Sequence, residues 1–123
     1  MARVLVIEDN PANMTLAVFL LESAGHAVLS ATDAEAGVSL AREAQPDLIL
    51  MDVQLPRMDG LAATAVLKRA EATRHIPVIA LTALAMKGDE ERIRAAGCDG
   101  YISKPLRYLE FLKVVAAQLT KPT

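Results

Sequence analysis

The chain has 123 residues, the length of one domain, and a domain of this size buries roughly two-thirds of the surface that its unfolded chain exposes. Its 13 basic and 15 acidic residues give a net charge of −2, which argues against a nucleic-acid partner because surfaces that bind phosphate backbones carry a basic excess. The composition is 53% hydrophobic, but no apolar run approaches the roughly 20 residues that cross a bilayer, so we expect no membrane insertion. The single cysteine, Cys98, excludes an intrachain disulfide and fits a reducing, cytoplasmic compartment.

Five short apolar runs alternate with segments of helical composition. The predicted strands are residues 4–7, 27–31, 47–51, 77–81 and 100–103. Strands that are apolar on consecutive residues are typically covered on both faces, and strict alternation with helices indicates a parallel sheet with right-handed crossovers. The sequence therefore predicts an α/β domain of three layers with a doubly wound, five-stranded parallel sheet.

Capping residues, prolines and glycines mark the helices between these strands. The predicted helices run from Asn10 to Gly25, from Asp33 to before Pro46, from after Gly60 to about Ala70, from Lys87 to Gly97 and from after Pro105 to Leu119. In the first helix, an apolar stripe at residues 14, 17, 18 and 21 is predicted to face the sheet, which leaves Phe19 on the other side. In the last helix, Phe111 is predicted to join the core.

Polar residues stand where most of the predicted strands end. They are Glu8, Asp9, Asp52, Thr82 and Lys104. Ligands of open parallel sheets bind outside the carboxyl ends of the strands, so these side chains are predicted to converge on one edge. A lone aspartate after a strand often caps the next helix, as Asp33 is expected to do. Asp52 does not fit that role, because an extended stretch containing a proline follows it.

Three neighbouring carboxylates are stable in ionised form only beside a cation. Oxygen ligands without Cys or His select Mg²⁺, with Mn²⁺ as the alternative, over zinc. A metal beside Lys104 and Thr82 suits phosphoryl transfer to a carboxylate. Asp52 is the strongest candidate for that carboxylate, since it follows a central-looking strand and precedes the longest loop. Glycine-rich nucleotide motifs and hydrolase triads are absent from the sequence.

These residues resemble the receiver domains of two-component response regulators over essentially the whole chain. The matching stretches are VLVIEDN at 4–10, PDLILMD at 46–52, LPRMDG at 55–60, IPVIALTA at 76–83 and YISKP at 101–105. Residues 85–105 are most similar to the DivK type of single-domain cell-division regulator. The resemblance implies a flavodoxin-like sheet with strand order 2-1-3-4-5, one receiver domain over residues 1–123, and no output domain.

The resemblance also implies a role for each site residue. Asp52 would accept a phosphoryl group from a sensor histidine kinase or a phosphotransfer protein. Asp9, Asp52 and the backbone carbonyl of Gln54 would bind Mg²⁺, and Glu8 would act through a water molecule. Lys104 would pair with Asp52 and then with the phosphoryl group, and its peptide bond to the following proline would be cis.

Thr82 and Tyr101 would form the switch pair of such a receiver. Thr82 would donate to the phosphoryl group and Tyr101 would then turn inward, which changes the surface made by the fourth helix, fifth strand and fifth helix. Leu84 would shield the phosphoryl group and prolong its lifetime. The resemblance thus implies a bacterial signalling switch in the cytoplasm, a monomer or weak dimer, that controls protein partners in the cell cycle or cell division and assists only its own phosphorylation and dephosphorylation.

Contacts with the phosphoryl donor are predicted at Phe19, Pro56 and Pro105. Alternatives to the free-standing switch are a phosphorelay intermediate and a receiver domain cut from a hybrid histidine kinase. A degenerate receiver that only binds partners is disfavoured, because all the site residues are present. A phosphatase of the haloacid-dehalogenase kind, which also forms an aspartyl phosphate, would need an acid two residues after the nucleophile, where this chain has Gln54.

Overall fold

The computed structural model describes residues 2–83 and 87–120. Within them, strands and helices alternate as predicted. The strands are β1 (Arg3–Ile7), β2 (Ala27–Ala31), β3 (Leu48–Asp52), β4 (Val78–Thr82) and β5 (Gly100–Ser103). The helices are α1 (Pro11–Ser23), α2 (Ala34–Ala44), α3 (Gly60–Arg69), α4 (Lys87–Ala95) and α5 (Tyr108–Leu119). The prediction for Leu84 lies outside the described residues.

The five strands form one sheet in the order β2-β1-β3-β4-β5, and every neighbouring pair is parallel. The predicted fold class and strand order are therefore confirmed. The predicted bounds of β3 and β4 are wrong by one residue, because the pairing between strands continues into the polar last residue of each. Asp52 pairs with Leu81 and Thr82 pairs with Ser103, so both polar residues end their strands instead of following them.

Alternating side chains divide the core into two halves, one on each face of the sheet. Leu5 and Ile7 of β1 face the half that α2, α3 and α4 cover, whereas Val4 and Val6 face the half that α1 and α5 cover. Phe111 is fully buried in the second half, as predicted. No helix in the described part of the chain has the length and apolar character needed to cross a membrane.

Local capping explains where the helices begin and end. The side chains of Asn10, Asp33 and Asp59 each accept a hydrogen bond from the backbone N–H three residues later, which satisfies a free donor in the first turn. Gly25 follows α1 with φ +90° and Gly97 follows α4 with φ +104°, conformations that favour glycine. Asp59 caps α3, and thus that helix includes Gly60 instead of following it.

Candidate phosphoryl-transfer site

The acidic residues of the site come from adjacent strands. Ile7 of β1 pairs with Met51 of β3, so the next residues, Glu8 and Asp52, stand side by side at the carboxyl edge of the sheet. Both carboxyl groups are almost completely buried, with 1% and 3% of their residue surfaces exposed. Two carboxylates removed from water at this spacing repel each other and require a nearby positive charge.

Lys104, which directly follows β5, supplies that charge. Its Nζ lies 2.8 Å from Glu8 Oε1 and 3.2 Å from Asp52 Oδ1. The backbone of Lys104 is held beside the end of β4, because its N–H donates to Thr82 O at 2.7 Å. The Lys104–Pro105 peptide bond is cis, which confirms the expectation from the family resemblance.

The three charged groups alter one another's protonation. Burial and a hydrogen bond with Glu8 raise the pKa of Asp52 to about 7, although hydrogen bonding from Gln54 N and the charge of Lys104 act in the opposite direction. Burial also tends to raise the pKa of Glu8, but its contacts with Asp52 and Lys104 outweigh burial and lower it. For Lys104, the two carboxylates outweigh burial and raise the pKa. The Lys104 ammonium therefore keeps the Glu8 carboxylate ionised, whereas the Asp52 carboxyl group keeps its proton until near neutral pH.

An oxygen-rich cluster capable of holding a metal ion lies at the same point. Glu8, Asp9 and Asp52 each offer a carboxylate oxygen, and these oxygens all lie within 4.8 Å of one another. Asp9 is exposed, so the cluster opens to solvent on one side. A donor set made only of carboxylate oxygens suits a hard divalent cation such as Mg²⁺. The residues present therefore fit the metal that the sequence predicts.

Gln54 contacts the same carboxylate through its backbone. Its N–H donates to Asp52 Oδ1 at 3.0 Å, which helps to orient the carboxyl group. Its side chain is exposed. The role of the Gln54 carbonyl as a metal ligand stays a prediction.

Thr82 is 3% exposed and ends β4 on the sheet face that α3 and α4 cover. A cavity of about 290 Å³ reaches it from the gap between those helices; its lining residues are Val53, Gln54, Asp59, Leu61, Thr82, Asp89, Arg92 and Ile93. The predicted switch residue Tyr101 is partly buried on the same face, where its ring packs against the core. Its hydroxyl donates a hydrogen bond to the Glu90 carboxylate of α4.

Two residues near the site carry roles that sequence reasoning missed. Glu90 is one of three consecutive acids in a charged helix, and nothing in that pattern singles out the one that meets Tyr101. Gly60 packs directly on the backbone of Asp52, where a Cβ atom would find no room. A glycine at the first helical position after the Asp59 cap is the only signal in the sequence for this close approach.

The predicted donor contacts are all exposed. Phe19 of α1 has 64% of its surface exposed, and it borders a shallow apolar surface with Pro11, Ala12, Thr15 and Leu16. Pro56 and Pro105 are exposed in the loops that follow β3 and β5. The predicted apolar stripe of α1 is buried at Ala17 and Leu21, which turns Phe19 away from the sheet.

Comparison with known proteins agrees with this geometry. The family described as the response regulator receiver domain matches residues 4–116. The chain belongs to the response regulator receiver family. Among its relatives, this receiver is 50% identical over 116 residues to the polar-differentiation response regulator DivK of Brucella ovis, with 94% of each chain covered. The DivK of Brucella anthropi is 49% identical with the same coverage.

Solved structures show the same fold. The receiver domain of a sensor histidine kinase from Pseudomonas aeruginosa, which holds a magnesium ion coordinated in its active-site cleft, is 36% identical with a TM-score of 0.91 and 98% coverage of both chains. The chemotaxis protein CheY4 of Vibrio cholerae is 26% identical with a TM-score of 0.90, covering 95% of this chain and 98% of its own. This receiver thus shares its architecture with a chemotaxis protein and with a domain of a sensor histidine kinase.

Proposed function

We propose that this receiver accepts a phosphoryl group on Asp52 from the phosphohistidine of a sensor histidine kinase or a phosphotransfer protein. The observation that carries the proposal is the contact of a buried aspartate at the end of a central strand with the Lys104 ammonium, 3.2 Å away. Glu8 shares the burial, the contact with Lys104 and the acidic cluster, but Asp52 differs from it in ending the middle strand of the sheet.

Mg²⁺ would be held by Asp9, Asp52 and the backbone carbonyl of Gln54, with Glu8 acting through a water molecule. When bound, the ion neutralises negative charge on the cluster and on the incoming phosphoryl oxygens. The all-oxygen donor set and the deficit of positive charge around Glu8 and Asp52 support this assignment. The magnesium ion in the similar receiver from Pseudomonas aeruginosa supports it as well.

The chain's own groups account for the remaining chemistry. The Gln54 N–H and the Lys104 ammonium hold the Asp52 carboxylate in a fixed orientation for in-line attack on phosphorus. A bond forms between a carboxylate oxygen and phosphorus, the phosphorus–nitrogen bond of the phosphohistidine breaks, and its electron pair returns to the imidazole. Lys104 then pairs with the new phosphoryl group, and the Thr82 hydroxyl donates to one of its oxygens.

The output of this reaction is a change of surface rather than a released product. The predicted surface consists of α4, β5 and α5, and it binds a downstream protein in cell-cycle or cell-division signalling, a role that the 50% identity with DivK supports. The receiver is a single domain that acts as a monomer or weak dimer and catalyses only its own phosphorylation and dephosphorylation. A phosphorelay intermediate or a receiver domain of a hybrid kinase is the second candidate, which the similarity to a sensor-kinase receiver favours.

Intact-mass measurement after incubation with a small-molecule phosphodonor and Mg²⁺ tests the proposal. We expect one phosphoryl adduct in the wild type and none in Asp52→Asn. Asp47→Asn is the matched control, because Asp47 lies just before the opposite end of β3 and its amide can still accept the hydrogen bond from Arg3 N. An adduct that persists in Asp52→Asn would contradict the proposal, and rapid turnover of many phosphomonoesters would indicate a phosphatase.

A further inference from the structure

The predicted switch residue is tied to a neighbouring helix. Tyr101 lies in β5, and its hydroxyl donates a hydrogen bond to the carboxylate of Glu90 in the first turn of α4. This bond raises the pKa of the phenol, and the charge of Arg94 on the same helix acts weakly in the opposite direction. A neutral phenol donating to a carboxylate forms a charge-assisted hydrogen bond, which is stronger than a bond between neutral groups.

The register of the sheet places this contact close to the site. Tyr101 pairs with Ala80 of β4, and the next residue of β4 on that face is Thr82. Side chains two apart on a strand point to the same face, so Tyr101 and Thr82 lie on the side that α3 and α4 cover. Ala80, which lies directly beside Tyr101 on β4, has a small side chain. A movement of Tyr101 toward Thr82 therefore meets little obstruction from β4, but it requires the phenol to leave Glu90.

We propose that Glu90 is a positioning residue that holds Tyr101 against α4 and thereby sets how readily the receiver takes up a phosphoryl group. The inference rests on the proposed function and on the switch that the family resemblance implies, in which Tyr101 turns inward after phosphorylation. A hydrogen bond that forms in only one of two conformations stabilises that conformation. It therefore weakens the binding of any ligand that favours the other conformation, and the loss in binding free energy equals the free energy of the bond. Removal of the Glu90 carboxylate should thus tighten binding of a phosphoryl group or its analogue.

A second role for Glu90 has to be separated from this one. An acid in the first turn of a helix stabilises the helix through its dipole, whatever it touches. Glu91 is the matched control, since it is exposed, has the same charge and lies one position along the same helix. The dipole effect falls off beyond the first turn, so Glu91→Ala controls for the loss of one negative charge, and the double-mutant cycle with Tyr101→Phe separates the dipole effect from the loss of the bond.

The test measures the affinity for beryllofluoride, an analogue of the phosphoryl group, in the presence of Mg²⁺. The chain has two tyrosines and no tryptophan, so Tyr108→Phe leaves Tyr101 as the single reporter of both fluorescence and phenol ionisation. In this background we expect Glu90→Ala to lower the Kd about tenfold and to lower the phenol pKa. Glu90→Gln, which keeps a neutral acceptor, should have a smaller effect on both, and Glu91→Ala should change neither.

A double-mutant cycle completes the test, with the Kd followed by calorimetry. Because Tyr101→Phe removes the donor, Glu90→Ala should have no further effect on the Kd in that background. An unchanged Kd in Glu90→Ala, or an equal change with and without the Tyr101 hydroxyl, would overturn the inference. Failure of the wild type to bind beryllofluoride would instead overturn the proposed function and this inference with it, so the two failures are distinguishable.

Discussion

A Cβ atom on Gly60 would lie 2.0 Å from the backbone carbonyl oxygen of Asp52. Gly60 also donates its N–H to the carbonyl of Val53 at 2.9 Å, so the first turn of α3 packs directly on the peptide that carries the proposed phosphoacceptor. A side chain at position 60 cannot be accommodated by a rotamer change, because the obstructing atom belongs to the backbone. Helix α3 and the acceptor strand therefore hold each other in position.

Gly60→Ala should destabilise the protein and slow phosphorylation, because the Asp52 peptide has to move away from the new methyl group. We expect a loss of about 1–3 kcal/mol, the range for overpacked sites, in the free energy of unfolding measured with urea. The phosphorylation rate with a small-molecule donor should fall in parallel. Gly88→Ala is the control: a Cβ there meets nothing within 4 Å, so stability should hold or rise. Equal stability of the two variants would contradict this prediction.

Ionisation of Asp52 should lower the stability of the metal-free protein as the pH rises from about 4 to about 7, whereas the lowered pKa of Glu8 acts in the opposite direction at the acidic end of this range. Asp52 has a pKa of about 7 in the folded protein against an ordinary value of 3.8, so in this range the folded chain keeps a proton that the unfolded chain has lost. Urea unfolding in the presence of a chelator measures the slope of the unfolding free energy against pH. Asp52→Asn should flatten it, whereas Glu43→Gln, an exposed substitution on α2, should leave it unchanged. If the pH dependence of the unfolding free energy persists in Asp52→Asn, groups other than Asp52 cause it.

Lys68 should contribute to stability without contributing to phosphorylation. Its Nζ donates to Ile76 O at 2.8 Å and lies 3.0 Å from Asp99 Oδ2, and Asp99 in turn accepts from Val78 N at 2.8 Å. These contacts join the amino ends of β4 and β5, at the edge of the sheet opposite the acidic cluster. Lys68→Met should cost roughly 1–3 kcal/mol in urea unfolding, because it leaves polar partners unpaired.

Two comparisons check the Lys68 prediction. Lys113→Met on α5 is exposed and should change the unfolding free energy by at most about 0.5 kcal/mol. The rate of phosphorylation by a small-molecule donor should match the wild type in both variants at a temperature where both are folded. A selective loss of that rate in Lys68→Met would show that the contacts at the amino edge influence the site.

Phe19→Ala should slow phosphotransfer from the cognate kinase or phosphotransfer protein without altering the chemistry at Asp52. Phe19 is 64% exposed, so its removal should leave the unfolding free energy nearly unchanged while it takes apolar area from the proposed contact surface. The measurement compares transfer from the protein donor with transfer from a small molecule. We expect only the transfer from the protein donor to be slower. An unchanged rate of that transfer would show that Phe19 is not part of the contact surface.

The fold and the main site were predictable because both depend on local patterns. Apolar runs specify strands buried on both faces, and in parallel strands the residues at their ends meet at one edge, which brings Glu8 and Asp52 together. The strand ends were less predictable, because a polar residue at the end of an apolar run can still pair with the neighbouring strand, and the apolar pattern gives no sign of this. Asp52 and Thr82 were thus expected after their strands, although both end them.

Contacts between distant surface residues were not predictable from the sequence. The bond between Tyr101 and Glu90 depends on the rotation of α4 about its axis, and the contact of Lys68 with Asp99 depends on how α3 lies across the sheet. The sequence does not distinguish one charged residue of a helix from its charged neighbours, because the packing angle of the helix decides which of them makes the contact. The close approach of Gly60 to Asp52 depends in the same way on the distance between a helix and a strand.

The site is distributed over strands that are far apart in the chain. Glu8 follows β1, Asp52 ends β3, and the compensating Lys104 arrives only after β5, more than 90 residues beyond Glu8. A chain without β5 would lack the ammonium that contacts both acids, so the charge compensation between side chains at the site is complete only once the last strand has joined the sheet.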